Sequence, residues 1–195
     1  LGIDIDPDAC EQARENVANS PFARRVSIEN FALQKLSDDS VSTAFLSAGE
    51  SDSEGKPGGG ELLFDAIVSN PPFFVNSMKN PDSKRTLARH SDSLPFSELM
   101  KGVRRWLSDD GLFSAIVPVD VLEPFVSEAY CSGLSLIRKC GVRTVERKAP
   151  KRYLLTFAKK RKMPLAEEEV VMTDADGNRS PWYAKITEDF YLDKA

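Results

Sequence analysis

Ile67-Val68-Ser69-Asn70-Pro71-Pro72-Phe73 is the stretch on which the fold of this 195-residue chain turns. Its first residues complete an apolar run, Leu62–Ser69, which reads as a strand buried on both faces. Two consecutive prolines then remove two backbone donors and fix two φ angles, so the Asn70 side chain and the carbonyls around it are held rigidly. Rigid acceptors of this kind suit recognition of an NH₂ group. A strand that ends in a proline turn with a self-capping Asn is the plainer reading of Asn-Pro-Pro alone. The segments on either side weigh against it.

Upstream, Leu1-Gly2-Ile3-Asp4-Ile5 reads as the end of a buried strand closed by an acid. Asp6-Pro7 supplies an N-cap followed by proline at the first helical position. Ala9, Ala13 and Val17 recur every four residues, which predicts a helix over 7–19 with a narrow face of small residues. Val26–Glu29 is a short strand. Strand, helix and strand within about thirty residues make half of a doubly wound α/β sheet. Residues 47–61, rich in Gly, Ser and acids, read as a flexible surface loop.

Downstream, residues 76–94 are polar and irregular, and a long loop after a strand's carboxyl end is where α/β enzymes build their sites. Phe96, Leu99, Met100, Val103 and Leu107 form a helical stripe, with Gly111 expected to stop that helix before a strand at Leu112–Val117. A short helix, Pro124–Ser132, ends at Gly133. Two strands follow, Leu134–Arg147 and Tyr153–Lys159, joined through Ala149-Pro150. The tail carries a hairpin signal at Asp176-Gly177 and finishes on Phe190-Tyr191.

With 41% hydrophobic and 29% charged residues the composition is that of a globular protein. No apolar run approaches the ~20 residues of a membrane span. Cys10, Cys131 and Cys140 are odd in number and form no CxxC pair, so neither a metal site nor a disulfide framework is expected. The net charge of −4 is unevenly spread. Between Arg138 and Lys162 stand eleven Lys/Arg against one acid, Glu146, which is either a solvated basic face or a patch for nucleic acid.

The Asn-Pro-Pro-Phe element after such a strand resembles the signature of class I methyltransferases that act on planar amino nitrogens. The resemblance narrows at Arg85…Arg89-His90 followed by Leu94 and Phe96-Ser97-Glu98-Leu99, and at the tail Trp182-Tyr183…Ile186-Thr187-Glu188-Asp189-Phe190-Tyr191-Leu192. Both are similar to stretches of bacterial tRNA(1)(Val) adenine-37 N6-methyltransferases. The resemblance implies an α/β, Rossmann-like fold with a mostly parallel sheet and an antiparallel C-terminal strand pair, formed by residues 1–195 as a single methyltransferase domain. It also implies S-adenosylmethionine as cofactor and tRNA as substrate in the cytoplasm, with a monomer expected and neither membrane nor metal involved.

The same resemblance assigns residues. Asn70 and the Pro71 carbonyl, stiffened by Pro72, accept the hydrogens of the target NH₂ group, and Phe73 stacks on the planar substrate. Phe74 either helps or packs in the core. Asp4, with Ile5 beside it, would hold the cofactor ribose, and Phe31-Ala32 would flank its adenine. Arg85, Arg89 and His90 (the single histidine) are candidate contacts to phosphate or base, and the basic stretch, by its charge, offers Lys148, Lys151 and Arg152 as candidate phosphate contacts. No general base is needed, because the nitrogen loses its proton only after transfer. The family's glycine-rich cofactor loop is absent from the sequence. The expectation is therefore an N-terminally incomplete domain, lacking a strand–loop–helix unit whose strand would lie between those ending at Asp4 and Ser69. The same chemistry would also serve a methyltransferase acting on protein glutamine or on rRNA amino nitrogens. A non-catalytic RNA-binding relict of the fold is the reading from another class.

Overall fold

The computed structural model describes residues 1–37, 63–72, 94–160 and 164–189. They fall into two compact units, 1–63 and 64–195.

In the first unit, strand β1 (Gly2–Asp4) runs parallel to β2 (Ile28–Asn30), and helix α1 (Pro7–Ala18) connects them. Asp6 caps α1 as its sequence signals, accepting from the amides of Asp8 at 2.9 Å and Ala9 at 3.4 Å. The buried face of α1 differs from the expected one. Ala9 is exposed and Cys10 is fully buried, with Ala13 and Val17 half-buried behind it. The stripe therefore runs i, i+3, i+7 from a cysteine, which packs as a small apolar residue. β2 begins two residues later than its apolar run suggests.

The second unit is a five-stranded sheet in the order β3-β4-β6-β5-β7, from strands β3 (Phe64–Ser69), β4 (Leu107–Pro118), β5 (Ser135–Val145), β6 (Arg152–Ala158) and β7 (Ala166–Thr173). β3 is parallel to β4 and β5 to β7, while β6 runs antiparallel to both of its neighbours. The carboxyl ends of β3, β4, β5 and β7 consequently lie at the same edge of the sheet as the amino end of β6. Helices α2 (Phe96–Trp106) and α3 (Leu122–Cys131) contribute Phe96 and Phe125 to an aromatic core with Phe113 of β4 and Phe157 of β6. The ring centroids of Phe96 and Phe125 are 5.0 Å apart, edge to face. Phe113, Phe125 and Phe157 are completely buried. At roughly 2–3 kcal/mol for each buried aromatic ring, this cluster is the main anchor of the sheet to its helices. Helix α4 (Pro181–Thr187) is capped by Ser180, whose hydroxyl accepts from the Tyr183 amide.

Two expectations are corrected here. Gly111 does not stop α2, which ends at Trp106 and passes straight into β4. Its role is close approach, since a Cβ there would lie 2.9 Å from the Phe64 carbonyl oxygen. The ladder slips at this point, with Phe64 opposite Leu107 but Ala66 opposite Leu112. β3 is not buried on both faces either: it is the end strand of the described sheet, and Val68 is 80% exposed. The apolar run Leu62–Ser69 reports strand propensity, not which neighbours cover it. The hairpin expected at Asp176-Gly177 is present: Gly177 sits at φ +86°, and the Asp174 carboxylate accepts from the Asp176 and Asn178 amides. Besides pairing along its length with β5, the strand before it bridges the following chain antiparallel at Thr173 and Arg179, with bonds from the Ser180 amide to the Met172 carbonyl and from the Asp174 amide to the Asn178 carbonyl. The Phe190-Tyr191 tail and residues 47–61 lie outside the described residues.

Candidate active site

In the first unit the register sets Asp4 directly opposite Asn30, so the residues that follow, Ile5 and Phe31-Ala32, emerge together at the carboxyl ends of β1 and β2. All four expected cofactor residues of this unit are thus neighbours. The Asp4 carboxylate is exposed, with one oxygen accepting from the Asp6 amide at 2.9 Å. The strand tip beneath it is tied by two side chains that sequence reading did not single out. Asn30 donates to the Asp4 carbonyl at 3.0 Å, and the Cys10 thiol lies 3.5 Å from the same oxygen and 3.6 Å from the Glu29 carbonyl. An amide and a thiol converging on one carbonyl leave no pattern in the sequence.

In the second unit Asn70 follows β3 at the carboxyl edge. It is exposed, and its side-chain amide makes no hydrogen bond among the described residues, whereas Pro71 behind it is buried. A buried proline thus follows directly on an exposed Asn70 at the end of β3. Pro72 is exposed. Phe73, Phe74, Arg85, Arg89 and His90 lie outside the described residues.

The basic stretch divides. Arg138, Lys139 and Arg143 of β5 each pair with an acid of β7: Arg138 with Glu168, Lys139 with Glu167 at 3.2 Å, and Arg143 with Glu169. The Glu168 carboxylate, by its hydrogen bond and its charge, raises the pKa of Arg138 further above its ordinary value. At the opposite edge Lys159 and Lys160 both meet Asp109, and the hydrogen bond and charge of Lys160 hold that carboxyl below the usual range. Five of the nine described cations between Arg138 and Lys160 are therefore paired. The remaining four, Arg147, Lys148, Lys151 and Arg152, are exposed without a carboxylate partner among the described residues. All four sit in or beside the turn between β5 and β6, closed by bonds from the Lys148 amide to the Val145 carbonyl and from the Lys151 amide to the Val142 carbonyl. Arg152 lies opposite Pro118, the last residue of β4, and the Val119 amide donates to the Lys151 carbonyl. Within the second unit, the free cations and Asn70 thus share one edge of the sheet. No group of acids, histidines and cysteines with metal-binding geometry occurs among the described residues, and no described helix is long and apolar enough to cross a membrane.

No protein-family model matches the sequence. Among solved structures, a protein of Agrobacterium tumefaciens described as a predicted O-methyltransferase superposes with a TM-score of 0.62, covering 95% of this chain and 75% of its own at 14% identity. That likeness shows the fold, which is the α/β methyltransferase fold with a mostly parallel mixed sheet. Curated relatives are much nearer in sequence. The tRNA1(Val) (adenine(37)-N6)-methyltransferase of Bacteroides fragilis is 34% identical over 195 residues, which are 98% of this chain and 73% of the relative. The enzymes of the same name from Phocaeicola vulgatus and Porphyromonas gingivalis are 36% and 37% identical, with 71% and 69% of their lengths covered. A likeness of this extent carries a family with it, and the chain belongs to the tRNA1(Val) (adenine(37)-N6)-methyltransferases.

Proposed function

We propose that this chain, working as one methyltransferase domain, transfers a methyl group from S-adenosylmethionine to the exocyclic N6 of an adenine in tRNA, adenine 37 of tRNA1(Val) in its relatives' case. The single observation that carries the assignment of residues is the exposed Asn70, whose side-chain amide makes no hydrogen bond among the described residues, set directly before the buried Pro71. The Asn70 side-chain oxygen and the Pro71 carbonyl accept the two amino hydrogens. This draws the nitrogen lone pair out of conjugation with the ring and aims it at the methyl carbon. Phe73 stacks on the adenine face. When bound, S-adenosylmethionine supplies a methyl carbon made electrophilic by its sulfonium. Transfer would exchange the sulfonium S–C bond for the new N–C bond and release the amino proton to water, so none of this chain's residues need act as a base. The work of the chain is orientation and exclusion of other geometries.

The residues of the first unit fit the cofactor. An exposed carboxylate beside a half-buried aromatic ring at two adjacent strand ends offers an acceptor for ribose hydroxyls and a face for a purine. Asp4 holds the ribose, Ile5 lines it, and Phe31-Ala32 flank the adenine. Arg85, Arg89 and His90 contact phosphate or base, and Lys148, Lys151 and Arg152 contact tRNA phosphates. Four uncompensated cations at the edge that bears Asn70 favour a polyanionic substrate over a protein glutamine. A monomer acting in the cytoplasm agrees with a tRNA substrate. Deletion of the gene should remove N6-methyladenosine from one tRNA, and complementation should restore it, both read by nucleoside mass spectrometry. Unchanged tRNA methylation in the deletion strain would overturn the substrate.

A further inference from the structure

Glutamate is a poor strand former, yet three in succession, Glu167-Glu168-Glu169, lie inside β7. Each is matched to a cation of β5, and the pairs alternate between faces of the sheet. Arg138–Glu168 lies on one face, and Lys139–Glu167 and Arg143–Glu169 on the other. Lys139 is additionally held over the Tyr153 ring, 5.7 Å from its centroid. Exposed pairs of this kind add little to stability, typically about 0–1 kcal/mol each. Their effect on local charge is complete, because three cations that would extend the free cluster along β5 are neutralised. β7 is the end strand of the described sheet with its first four residues exposed, so charge there keeps the edge from pairing with another chain, but charge of either sign would do that and would not need to be matched residue by residue to the cations of β5. What this arrangement achieves is a boundary, with unpaired cations at the carboxyl edge and paired ones everywhere else on β5.

We propose that β7 is an electrostatic mask that sets substrate specificity, with Glu167, Glu168 and Glu169 covering Arg138, Lys139 and Arg143 so that tRNA phosphates engage only the carboxyl-edge cluster beside Asn70. The inference rests on the tRNA reading above. An RNA held at that edge presents its target adenine to the Asn70 turn. One held along the whole length of β5 would bind as tightly but out of register. The mask therefore acts by removing competing modes of binding, which is specificity by exclusion.

The test measures the salt dependence of tRNA binding, using substrate tRNA and an unrelated tRNA. Replacing Glu167, Glu168 and Glu169 together with Gln should steepen the slope of log K against log salt by about 2, at about 0.7 for each of three released cations. It should also raise affinity for the unrelated tRNA more than for the substrate. Arg138→Gln, Lys139→Gln and Arg143→Gln in the otherwise native chain should leave the slope unchanged, because those cations are already covered. The same three changes added to the glutamine-substituted β7 should return the slope to its native value. That return separates charge from structure, since the pairs are still missing. Failure to return, or no steepening at all, overturns the mask. If Lys148→Ala, Lys151→Ala and Arg152→Ala together still flatten the slope, the phosphate contacts proposed above survive that failure; if they do not, these residues are a solvated face and those contacts fall with the mask, while the substrate itself is decided by methylation in the deletion strain.

Discussion

The tips of β1 and β3 each present one polar side chain to solvent, and they are built in opposite ways. At β1 the acid is locked in place. Asp6 occupies one carboxylate oxygen, and Asn30 and Cys10 converge on the Asp4 carbonyl. At β3 nothing among the described residues holds the Asn70 amide, and the rigidity lies behind it, in a buried proline. The difference matches the two tasks proposed for these residues. A carboxylate that binds a ribose in substrate and transition state alike contributes uniform binding. An amide kept free until the target nitrogen arrives has its acceptor unspent for the transition state.

The contrast is sharpest in kinetics. Asn70→Ala should lower the single-turnover rate by a factor of a hundred or more, the ~3 kcal/mol of one lost oriented hydrogen-bonding group, with the dissociation constant for the cofactor changed far less. A rate near the native value would remove Asn70 from the chemistry. Asp4→Ala should do the reverse. A charge-assisted bond of about 1.5–3 kcal/mol is lost, so cofactor affinity falls about ten- to a hundredfold while the rate at saturating cofactor is largely kept. Calorimetric titration with the demethylated cofactor reads this, and an unchanged constant would move the ribose ligand to another residue. A smaller effect is expected at the shared edge of the second unit. Replacing Lys148, Lys151 and Arg152 should flatten the salt dependence of tRNA binding by about 0.7–0.9 per lost contact. An unaltered slope would make these residues a solvated face.

The mildest probe concerns how firmly the β1 tip is held. Cys131 is exposed, whereas Cys10 and Cys140 are buried, and burial followed by the nearby Glu168 pushes the Cys140 thiol up from its usual range. A thiol reagent at neutral pH should label Cys131 fully while Cys10 and Cys140 wait for denaturant. Rapid labelling of Cys10 would mean that the tie between α1 and the strand ends opens readily.

What could be read from the sequence follows the range of the interactions concerned. Asn-Pro-Pro-Phe is contiguous, and the α2 stripe Phe96, Leu99, Met100 and Val103 repeats within one helix, so both are legible, although Trp106 and not Leu107 takes the last buried position of the helix. The N-cap at Asp6 is legible for the same reason. β7 is not, because Glu167-Glu168-Glu169 looks like solvated chain until β5 is set beside it. The pairs it makes join residues 26 to 30 apart, and the Lys160–Asp109 pair joins residues 51 apart. Eleven cations counted along the chain therefore overstate the free charge. Gly111 misled because a glycine after a helical stripe also marks a C-cap. Here a carbonyl of the neighbouring strand, and not a positive φ, is what requires it.

At the centre of the proposed function stands transfer to an exocyclic amino nitrogen oriented by Asn70. Its most direct test incubates unmodified tRNA with the protein and S-adenosylmethionine carrying an isotopically labelled methyl group, then digests the RNA to nucleosides for mass spectrometry. The prediction is label in N6-methyladenosine alone, and none with Asn70→Ala. Label on a ring nitrogen, a ribose oxygen or protein, or label that persists in the Asn70→Ala reaction, would contradict it.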